Sequence, residues 1–291
     1  RFMQKKHITF MAACLLALTS CQDRFVPEAN RPSEEIFDYP VDVTFHAVNP
    51  PALKTVLNYE TILWESDDAI KVLWGENKYN EALAKPFYSN QKADFETTVE
   101  DAESYYGVYP YTAASSLSDE CLTLSVPSSQ TGDFRDANLA VAMADENNMM
   151  TFRHVVGYIE FTIDMTGIVE ISGGASDNLA GTVRVTGFDQ SGKPEYEVTG
   201  SSSTIKVDVK TSGTYYLAVL PDARLDYLYI TLTEGGKTQY IYANTTKQFN
   251  PGKLLALGNI TERFSTKRPM GATLESFTIT EFKFDDNNIN F

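Results

Sequence analysis

The chain has 291 residues, of which 22% are charged, and a formal net charge of −15 at pH 7. Such an acidic surface repels phosphate backbones, which argues against nucleic acids as partners. At roughly 150 residues per domain, the length predicts about two domains, each able to bury a core of its own.

The first 21 residues have the pattern of a secretory signal. Basic residues precede an apolar run from Ile8 to Leu18, which is shorter than the ~18 residues that a transmembrane helix needs. Leu18-Thr19-Ser20-Cys21 resembles the lipobox of bacterial lipoproteins, so residues 1–20 are predicted to be a signal peptide and Cys21 the lipidated first residue of the mature chain. The alternative is an ordinary secretory signal in which Cys21 occurs by chance. By resemblance to lipoproteins, Gln22 favours delivery to the outer membrane.

Cysteine content adds a constraint on the folded part. Of the three cysteines, Cys14 leaves with the signal and Cys21 carries the lipid, so Cys121 alone remains. An intramolecular disulfide is then impossible. The simplest role for Cys121 is that of a small buried hydrophobic residue.

Residues 21–40 have the composition of a linker, with many charges and prolines and no period. An N-terminal β-sandwich domain is predicted over 41–150, and it begins with the alternating strand Val41–Ala47. Further strands are predicted within Thr61–Gly75, Ser104–Tyr111 and Cys121–Val126. Helical signals are weak and confined to Tyr79–Ala84 and Asp133–Ala144.

A second β-sandwich domain is predicted over 151–262. It opens with a long strand, Thr151–Met165, and short strands then recur at the spacing of sandwiches and barrels. Those strands are Thr182–Phe188, Thr204–Val209, Thr214–Leu220, Tyr227–Thr233 and Thr238–Ala243, with a hairpin turn at Gly235-Gly236. The predicted fold class is therefore all-β, with two sandwiches in series.

Residues 263–291 form a tail that follows an apparent domain end at Ile260. Its stretch Leu274–Phe284 places Phe277 and Ile279 in one phase and Phe282 and Phe284 in the other, which predicts a bulge or two short strand pieces. The tail is a candidate donor strand for another subunit, or an edge strand of its own domain.

The sequence gives no sign of an enzyme. Only His46 and His154 remain after the signal, too far apart in sequence for a zinc site, and no Gly-x-Ser-x-Gly elbow is present. Asp67-Asp68 and Asp285-Asp286 could bind calcium, but acidic turns between strands are usually only solvated. No catalytic residue, metal or cofactor is predicted.

Aromatic residues allow two interpretations. They could form an exposed platform for carbohydrate or pack in the core, which strands favour. The residues concerned are Trp64, Trp74, Tyr105, Tyr106, Tyr109 and Tyr111.

Several stretches together resemble the fimbrillin family of Bacteroidota, the subunits of type V pili and their relatives. They are the strand Val41–Ala47, Leu63-Trp64-Glu-Ser-Asp-Asp-Ala-Ile70, Tyr105-Tyr106-Gly-Val-Tyr109-Pro110-Tyr111, Pro127-Ser-Ser-Gln130, Phe152-Arg-His154-Val-Val-Gly-Tyr-Ile159, Tyr216-Leu-Ala-Val-Leu-Pro221 and Pro251-Gly252-Lys253. The resemblance runs from the lipobox to about residue 260.

The resemblance implies two transthyretin-like sandwiches and assembly without catalysis. In that family a lipidated precursor reaches the cell surface, a trypsin-like protease cuts after the first strand, and the vacated groove receives a C-terminal strand from the next subunit. In this chain the cut would follow Lys54, where the best-known members have Arg, and the donor residues would be Phe277, Ile279, Phe282 and Phe284. The expected partners are other pilus subunits, the outer membrane through the lipid, and a host or bacterial surface ligand.

Two other functions remain open from the sequence. One is a lipid-anchored glycan-binding protein of the outer membrane, which requires solvent-exposed rings at Trp64 and Tyr105–Tyr111. The other is a surface hydrolase, which requires two carboxyl groups converging in a cleft. Buried rings would favour the pilus subunit.

Overall fold

A computed structural model of the chain describes residues 40–48, 63–87, 91–173, 178–244 and 246–268. Within these residues the regular structure is nearly all strand, with one short helix, α1 (Phe134–Ala137), and one 3-10 turn, Thr261–Arg263. The prediction of an all-β fold is confirmed. Of the two weak helical candidates, Tyr79–Ala84 is wrong, because it lies in a strand whose Ala82 and Ala84 alternate inward, and Asp133–Ala144 yields only the four residues of α1.

In the described residues before residue 155 there are eleven strands. They are β1 (Val41–Val48), β2 (Ala69–Trp74), β3 (Lys78–Pro86), β4 (Lys92–Val99), β5 (Tyr106–Tyr109), β6 (Ser115–Ser118), β7 (Cys121–Val126), β8 (Ser129–Gln130), β9 (Ala140–Met143), β10 (Met149–Thr151) and β11 (Arg153–His154).

The described residues from 155 to 268 contain eleven more strands. They are β12 (Gly157–Ile163), β13 (Gly167–Ser172), β14 (Ala180–Phe188), β15 (Pro194–Ser202), β16 (Thr204–Val209), β17 (Gly213–Val219), β18 (Arg224–Leu225), β19 (Leu228–Glu234), β20 (Lys237–Ala243), β21 (Lys247–Gln248) and β22 (Leu254–Asn259).

The first sheet curls until its strand order closes. Eight strands are arranged in the order β10-β1-β4-β3-β2-β5-β9-β11. An antiparallel bridge between Ala144 and Met150 also joins the end of β9 to β10, so β10, at one end of the order, contacts β9 beside the other end. Closure of this kind removes free sheet edges. The enclosed core includes Phe45, Ile70, Phe95, Met150 and Phe152, all fully or almost fully buried.

The predicted long strand Thr151–Met165 is divided into three pieces. β10 pairs with β1, β11 pairs with β9, and β12 pairs with β17 and β22 in another sheet. The divisions fall at Phe152 and at Val155-Val156, whose side chains are fully buried. Met150 and Phe152 pack in the same core, whereas Val155 and Val156 pack in another, so the buried side chains change core only at the second division.

The second half contains a two-sheet sandwich. A three-stranded sheet, β17-β12-β22, faces a five-stranded sheet, β20-β19-β13-β16-β8, around a core supplied by both. β19 and β20 form the hairpin predicted at Gly235-Gly236, whose φ angles of +54° and +79° suit a two-residue turn.

A four-stranded sheet, β15-β14-β7-β6, joins the two halves of the sequence. β7 pairs with β14, and β8 pairs with β16, so backbone pairing crosses the predicted boundary at residues 150 and 151. A third core lies beneath this sheet and includes Leu122, Leu124, Val183 and Val185. The division into domains 41–150 and 151–262 stays a prediction.

Candidate functional site: the slot of the first strand

β1 is held by strands on both sides. Its eight residues pair antiparallel with β4, from Val41 opposite Val99 to Val48 opposite Lys92. On the other side, residues 46–48 pair in parallel with β10, and the His46 amide donates to the Asn148 carbonyl at 2.9 Å. We call the space that β1 occupies between β4 and β10 the first-strand slot. Without β1, the facing backbone groups of both neighbours would lack strand partners.

The inward face of β1 fills an apolar floor. Phe45 and Ala47 are buried, and Val43 packs against the same core. The Phe45 ring meets Tyr105 edge to face, with centroids 5.4 Å apart. Full burial of a phenylalanine contributes roughly 1.5–3 kcal/mol. A segment that replaced β1 would therefore need apolar side chains at alternate positions.

The outward face of β1 is polar. Asp42 accepts a hydrogen bond of 2.7 Å from the Thr98 hydroxyl, and His46 Nδ1 lies 2.6 Å from Asp94 Oδ1. Both contacts join residues that are directly opposite in the β1–β4 ladder. His46, noted in the sequence as one of two histidines, thus has a carboxylate neighbour in the described structure.

Four of the six aromatic residues singled out in the sequence, Trp64, Trp74, Tyr105 and Tyr109, pack in or against the core beside the slot, and Tyr106 packs in another core. Trp64 makes edge-to-face contacts with Phe95, Tyr109 and Phe152 at centroid distances of 5.0–5.5 Å. Trp64, Trp74, Tyr106 and Tyr109 are buried, and Tyr105 and Tyr111 are partly buried. The core interpretation of these rings is therefore correct, and they do not form an exposed glycan platform.

The acidic pair Asp67-Asp68 is bound by an arginine. Arg135 contacts Glu65, lies 2.7 Å from Asp67 Oδ2, and approaches Asp68 Oδ1 to 3.9 Å. The hydrogen bond from Arg135 lowers the pKa of the Asp67 carboxyl. Among the described residues, no group of three or more His, Cys, Asp or Glu side chains is placed to hold a metal ion.

His154 is partly buried and belongs to a polar cluster with buried Tyr158 and Asn138 that the sequence did not predict. The Tyr158 hydroxyl donates a hydrogen bond of 3.1 Å to Asn138 Oδ1 and lies 2.6 Å from His154 Nδ1. Burial raises the pKa of Tyr158 well above its usual value, so the phenol is neutral. The spacing of four residues between His154 and Tyr158, across Val155-Val156, was the only sequence signal that could have suggested this cluster. It carries no information about the distant Asn138.

Cys121 was predicted to be a small buried hydrophobic residue. The Cys121 side chain is only partly buried, and its sulfur lies 2.9 Å from an Arg184 guanidinium nitrogen, so the prediction of a buried residue is wrong.

No helix in the described part of the chain is long and apolar enough to cross a membrane. Cys21, Lys54, Phe277, Ile279, Phe282, Phe284 and Asp285-Asp286 lie outside the described residues.

The main partner of β1 was not predicted. In β4, Ala93, Phe95 and Val99 are buried, whereas the residues between them are exposed or partly buried. The alternation was readable from Ala93 and Phe95, but Thr97 interrupts the apolar pattern.

Comparison with known proteins gives one family. A family model described as fimbrillin-like matches residues 47–257. None of the curated proteins compared with the chain matches it.

Solved structures of similar proteins share little sequence with the chain. A candidate cell adhesion protein from Bacteroides ovatus is 12% identical, with 77% of this chain and 95% of that protein covered and a TM-score of 0.45. A fimbrial assembly protein from Parabacteroides distasonis is 8% identical, with 76% and 91% covered and a TM-score of 0.35. A candidate cell adhesion protein from Bacteroides thetaiotaomicron is 11% identical, with 80% and 99% covered and a TM-score of 0.34.

Proposed function

The chain belongs to the fimbrillin-like family, which is not an enzyme family, and we propose that it is a structural or adhesive subunit of cell-surface fimbriae. It is made as a precursor lipidated at Cys21 and carried to the outer membrane. A protease then cuts after Lys54, β1 leaves, and the tail of another subunit fills the first-strand slot. Its partners are other pilus subunits, the outer membrane through the lipid, and a surface ligand.

The structure of the first-strand slot is the observation that supports this proposal. β1 pairs on both sides, and its apolar side chains alternate, so its departure exposes backbone donors and acceptors along an apolar floor. Exposed edges of this kind bind extended segments by strand addition. Phe277, Ile279, Phe282 and Phe284 supply the apolar side chains that such a floor requires.

Burial of the aromatic residues bears on the rival function. A glycan platform at Trp64 and Tyr105–Tyr111 requires exposed rings, whereas the rings of Trp64 and Tyr109 are buried. The assembly function is therefore favoured over glycan binding at this position.

The proposed proteolytic cleavage after Lys54 is tested on cells that display the protein. We compare the wild type with Lys54→Ala and with Lys193→Ala, a control lysine in an exposed turn between β14 and β15. Wild type and control should give polymer ladders on unheated gels and a mature N-terminus at Thr55 by mass spectrometry. Lys54→Ala should remain monomeric with β1 attached. Equal ladders for all three proteins would refute cleavage at Lys54.

Donation and anchoring need separate variants. Phe282→Asp should leave cleavage intact but abolish the ladder, because a carboxylate cannot enter an apolar slot without a large desolvation cost. Cys21→Ala should remove the protein from the membrane fraction or leave its precursor uncut. Ladder formation by Phe282→Asp would exclude that residue as a donor, and unchanged fractionation of Cys21→Ala would exclude the lipid.

A further inference from the structure

A cavity lies beside α1, where the loop after β5 and the end of β7 approach β17. Its volume is about 290 Å³, and it is lined by residues of the segments 112–114, 125–133 and 136–139 together with Tyr216 and Ala218. Pockets for drug-sized molecules have roughly 300–1,000 Å³, so this cavity has the size for a single small ring. None of its lining residues in the described structure belongs to the first-strand slot.

The buried residues of the lining form an apolar floor. They include Ala113, Ala137, Leu139 and Ala218. Three of these four are alanines, whose short side chains leave room for a ligand. The Ala113 carbonyl already accepts a hydrogen bond of 2.8 Å from Lys71 Nζ. A ligand that reaches the floor must therefore present an apolar surface there, since an unpaired polar group would be costly.

The exposed residues of the lining form a polar rim. Thr112, Ser125 and Ser129 are exposed, and their hydroxyl groups have no hydrogen-bond partner among the described residues. Each hydroxyl can both donate and accept a hydrogen bond. The rim therefore suits a ligand that carries donors and acceptors around its perimeter.

Two carboxylates complete the rim and give it a negative charge. Asp133 Oδ1 accepts from the Arg135 amide and Asp136 Oδ2 accepts from the Thr131 hydroxyl, both at 2.8 Å. The second oxygen of each carboxylate has no partner in the described structure. The described lining contains no Lys, Arg or His side chain. An anionic ligand would therefore be repelled, whereas hydroxyl donors would find acceptors.

Hydrogen bonds and ring packing fix the walls of the cavity. Gln130 Nε2 donates to the carbonyls of Pro127 and Ala218 at 3.0 and 2.8 Å, and Gln130 Oε1 accepts from the Ala218 amide at 2.7 Å. Tyr216 adds an aromatic ring to the lining, and Phe134 packs edge to face against that ring at 5.1 Å. The cavity is therefore preformed, which lowers the cost of ordering it around a ligand.

We propose that this cavity binds one ring of a neutral saccharide. A pyranose has apolar faces and a perimeter of hydroxyl groups. Its faces suit the alanine floor and the Tyr216 ring, while its hydroxyls donate to Asp133 and Asp136 and exchange hydrogen bonds with the hydroxyls of the rim. The inference rests on the proposed adhesive function, for which it names the class of the surface ligand.

A basic side chain from a protein partner is the main alternative occupant. Its methylene groups would suit the floor and its charge would suit the two carboxylates. It would leave the three hydroxyls of the rim without a partner from the ligand. A saccharide ring uses the floor, the carboxylates and the hydroxyls together, so the lining favours the saccharide.

Saturation-transfer NMR tests the class of ligand. The full chain, kept in a detergent without a sugar headgroup, is mixed separately with glucose, galactose, mannose and N-acetylglucosamine. N-acetylneuraminic acid is the anionic probe, and Nα-acetyl-lysine amide is the cationic one. At least one neutral sugar should receive saturation, and the anionic sugar should receive none. Saturation of no neutral sugar, or of either charged probe as strongly as the best neutral sugar, would overturn the proposal.

A matched pair of variants locates the binding. Ser125→Arg places a long side chain across the rim and should abolish saturation of the neutral sugar. Ser118→Arg, at an exposed serine of β6 outside the cavity lining, is the control and should retain it. Circular dichroism confirms that both variants fold. Retained saturation in Ser125→Arg, or equal loss in both variants, would overturn the proposal.

Failure of this site and failure of the proposed function give different results. Both arginine variants should form the same polymer ladders on cells as the wild type, because neither residue belongs to the first-strand slot. Missing ladders in the wild type would count against the fimbrial function, whereas missing saturation in a protein that forms ladders would count against this site alone.

A glycan array then distinguishes the two sources of a neutral saccharide. It carries neutral animal glycans and neutral bacterial polysaccharides that contain the sugar selected by NMR. Many copies along a fibre compensate for weak binding of one ring, so the array is probed with assembled fibres. Binding to either source that is lost in Ser125→Arg supports the proposal and identifies the source. Binding to neither would overturn it.

Discussion

The Tyr109 hydroxyl donates a hydrogen bond of 2.8 Å to Asp68, a carboxylate that is 2% exposed. Asp68 also accepts from the Glu65 amide at 2.7 Å. Burial and the nearby Asp68 raise the pKa of Tyr109, so the phenol stays protonated and keeps donating. This contact ties the turn before β2 to β5, and it explains the acidic pair by structure instead of by metal binding.

Tyr109→Phe should therefore destabilise the protein. Removing the hydroxyl takes one donor from a buried carboxylate, which costs about 1–3 kcal/mol in the free energy of unfolding. The measurement is chemical denaturation followed by circular dichroism. Tyr79→Phe, at a side chain that is half exposed, is the control and should change stability by less than about 0.5 kcal/mol. Equal stability of both variants would show that the Tyr109–Asp68 bond contributes nothing.

Trp64 provides a second test of the core. Trp64→Ala removes a ring that contacts three other aromatic residues and should cost about 3–5 kcal/mol. Trp64→Phe should cost less, because the indole Nε1 is buried without a hydrogen-bond partner in the described structure. Denaturant midpoints of the two variants test this order. A Trp64→Ala protein as stable as the wild type would revive an exposed role for this ring.

These two sites show what the sequence could and could not establish. The period-2 strands and the turn at Gly235-Gly236 follow from local pattern, because alternation and turn conformation are local properties, whereas the pattern left both a core role and an exposed platform open for the aromatic residues. The contacts of Arg135 with Asp67 and of Tyr158 with Asn138 depend on pairings between distant strands. The same limit explains why β4 and β15 were missed. Their side chains are partly polar, and their place in the sheets is set by which strands lie beside them.

Asp164 should make stability depend on acid pH. Its carboxylate accepts from the Ser212 hydroxyl at 2.6 Å and from Asn259 Nδ2 at 3.0 Å, and these bonds lower its pKa below the usual 3.8. A carboxyl with a depressed folded pKa stabilises the protein above its unfolded pKa, and the stabilisation is lost as pH falls through the folded value.

The corresponding variant is Asp164→Asn. Its melting temperature should lie below that of the wild type above pH 4, and the difference should shrink as the pH falls further. Asp101→Asn, at an exposed position, is the control. A difference that stays constant from pH 7 to pH 2 would contradict a role for the ionised Asp164 carboxylate.

A disulfide across the first-strand slot should stop assembly. Thr44 and Glu96 are directly opposite in the β1–β4 ladder, on the outward face, so cysteines there leave Phe45 and the apolar floor unchanged. In a Thr44→Cys/Glu96→Cys protein, also carrying Cys121→Ser, oxidation should hold β1 in the slot even after cleavage at Lys54. Polymers should then be absent under oxidising conditions and appear when the disulfide is reduced.

A matched lock separates this effect from general rigidity. Thr233 and Thr238 are opposite in the β19–β20 hairpin, far along the chain from β1, and Thr233→Cys/Thr238→Cys introduces the same kind of cross-link there. This control should polymerise equally with and without reductant. Strand replacement requires that β1 leave before another segment enters, because both use the same backbone groups of β4 and β10. If the oxidised Thr44→Cys/Glu96→Cys protein polymerises as well as the control, β1 does not need to leave, and assembly through the first-strand slot is wrong.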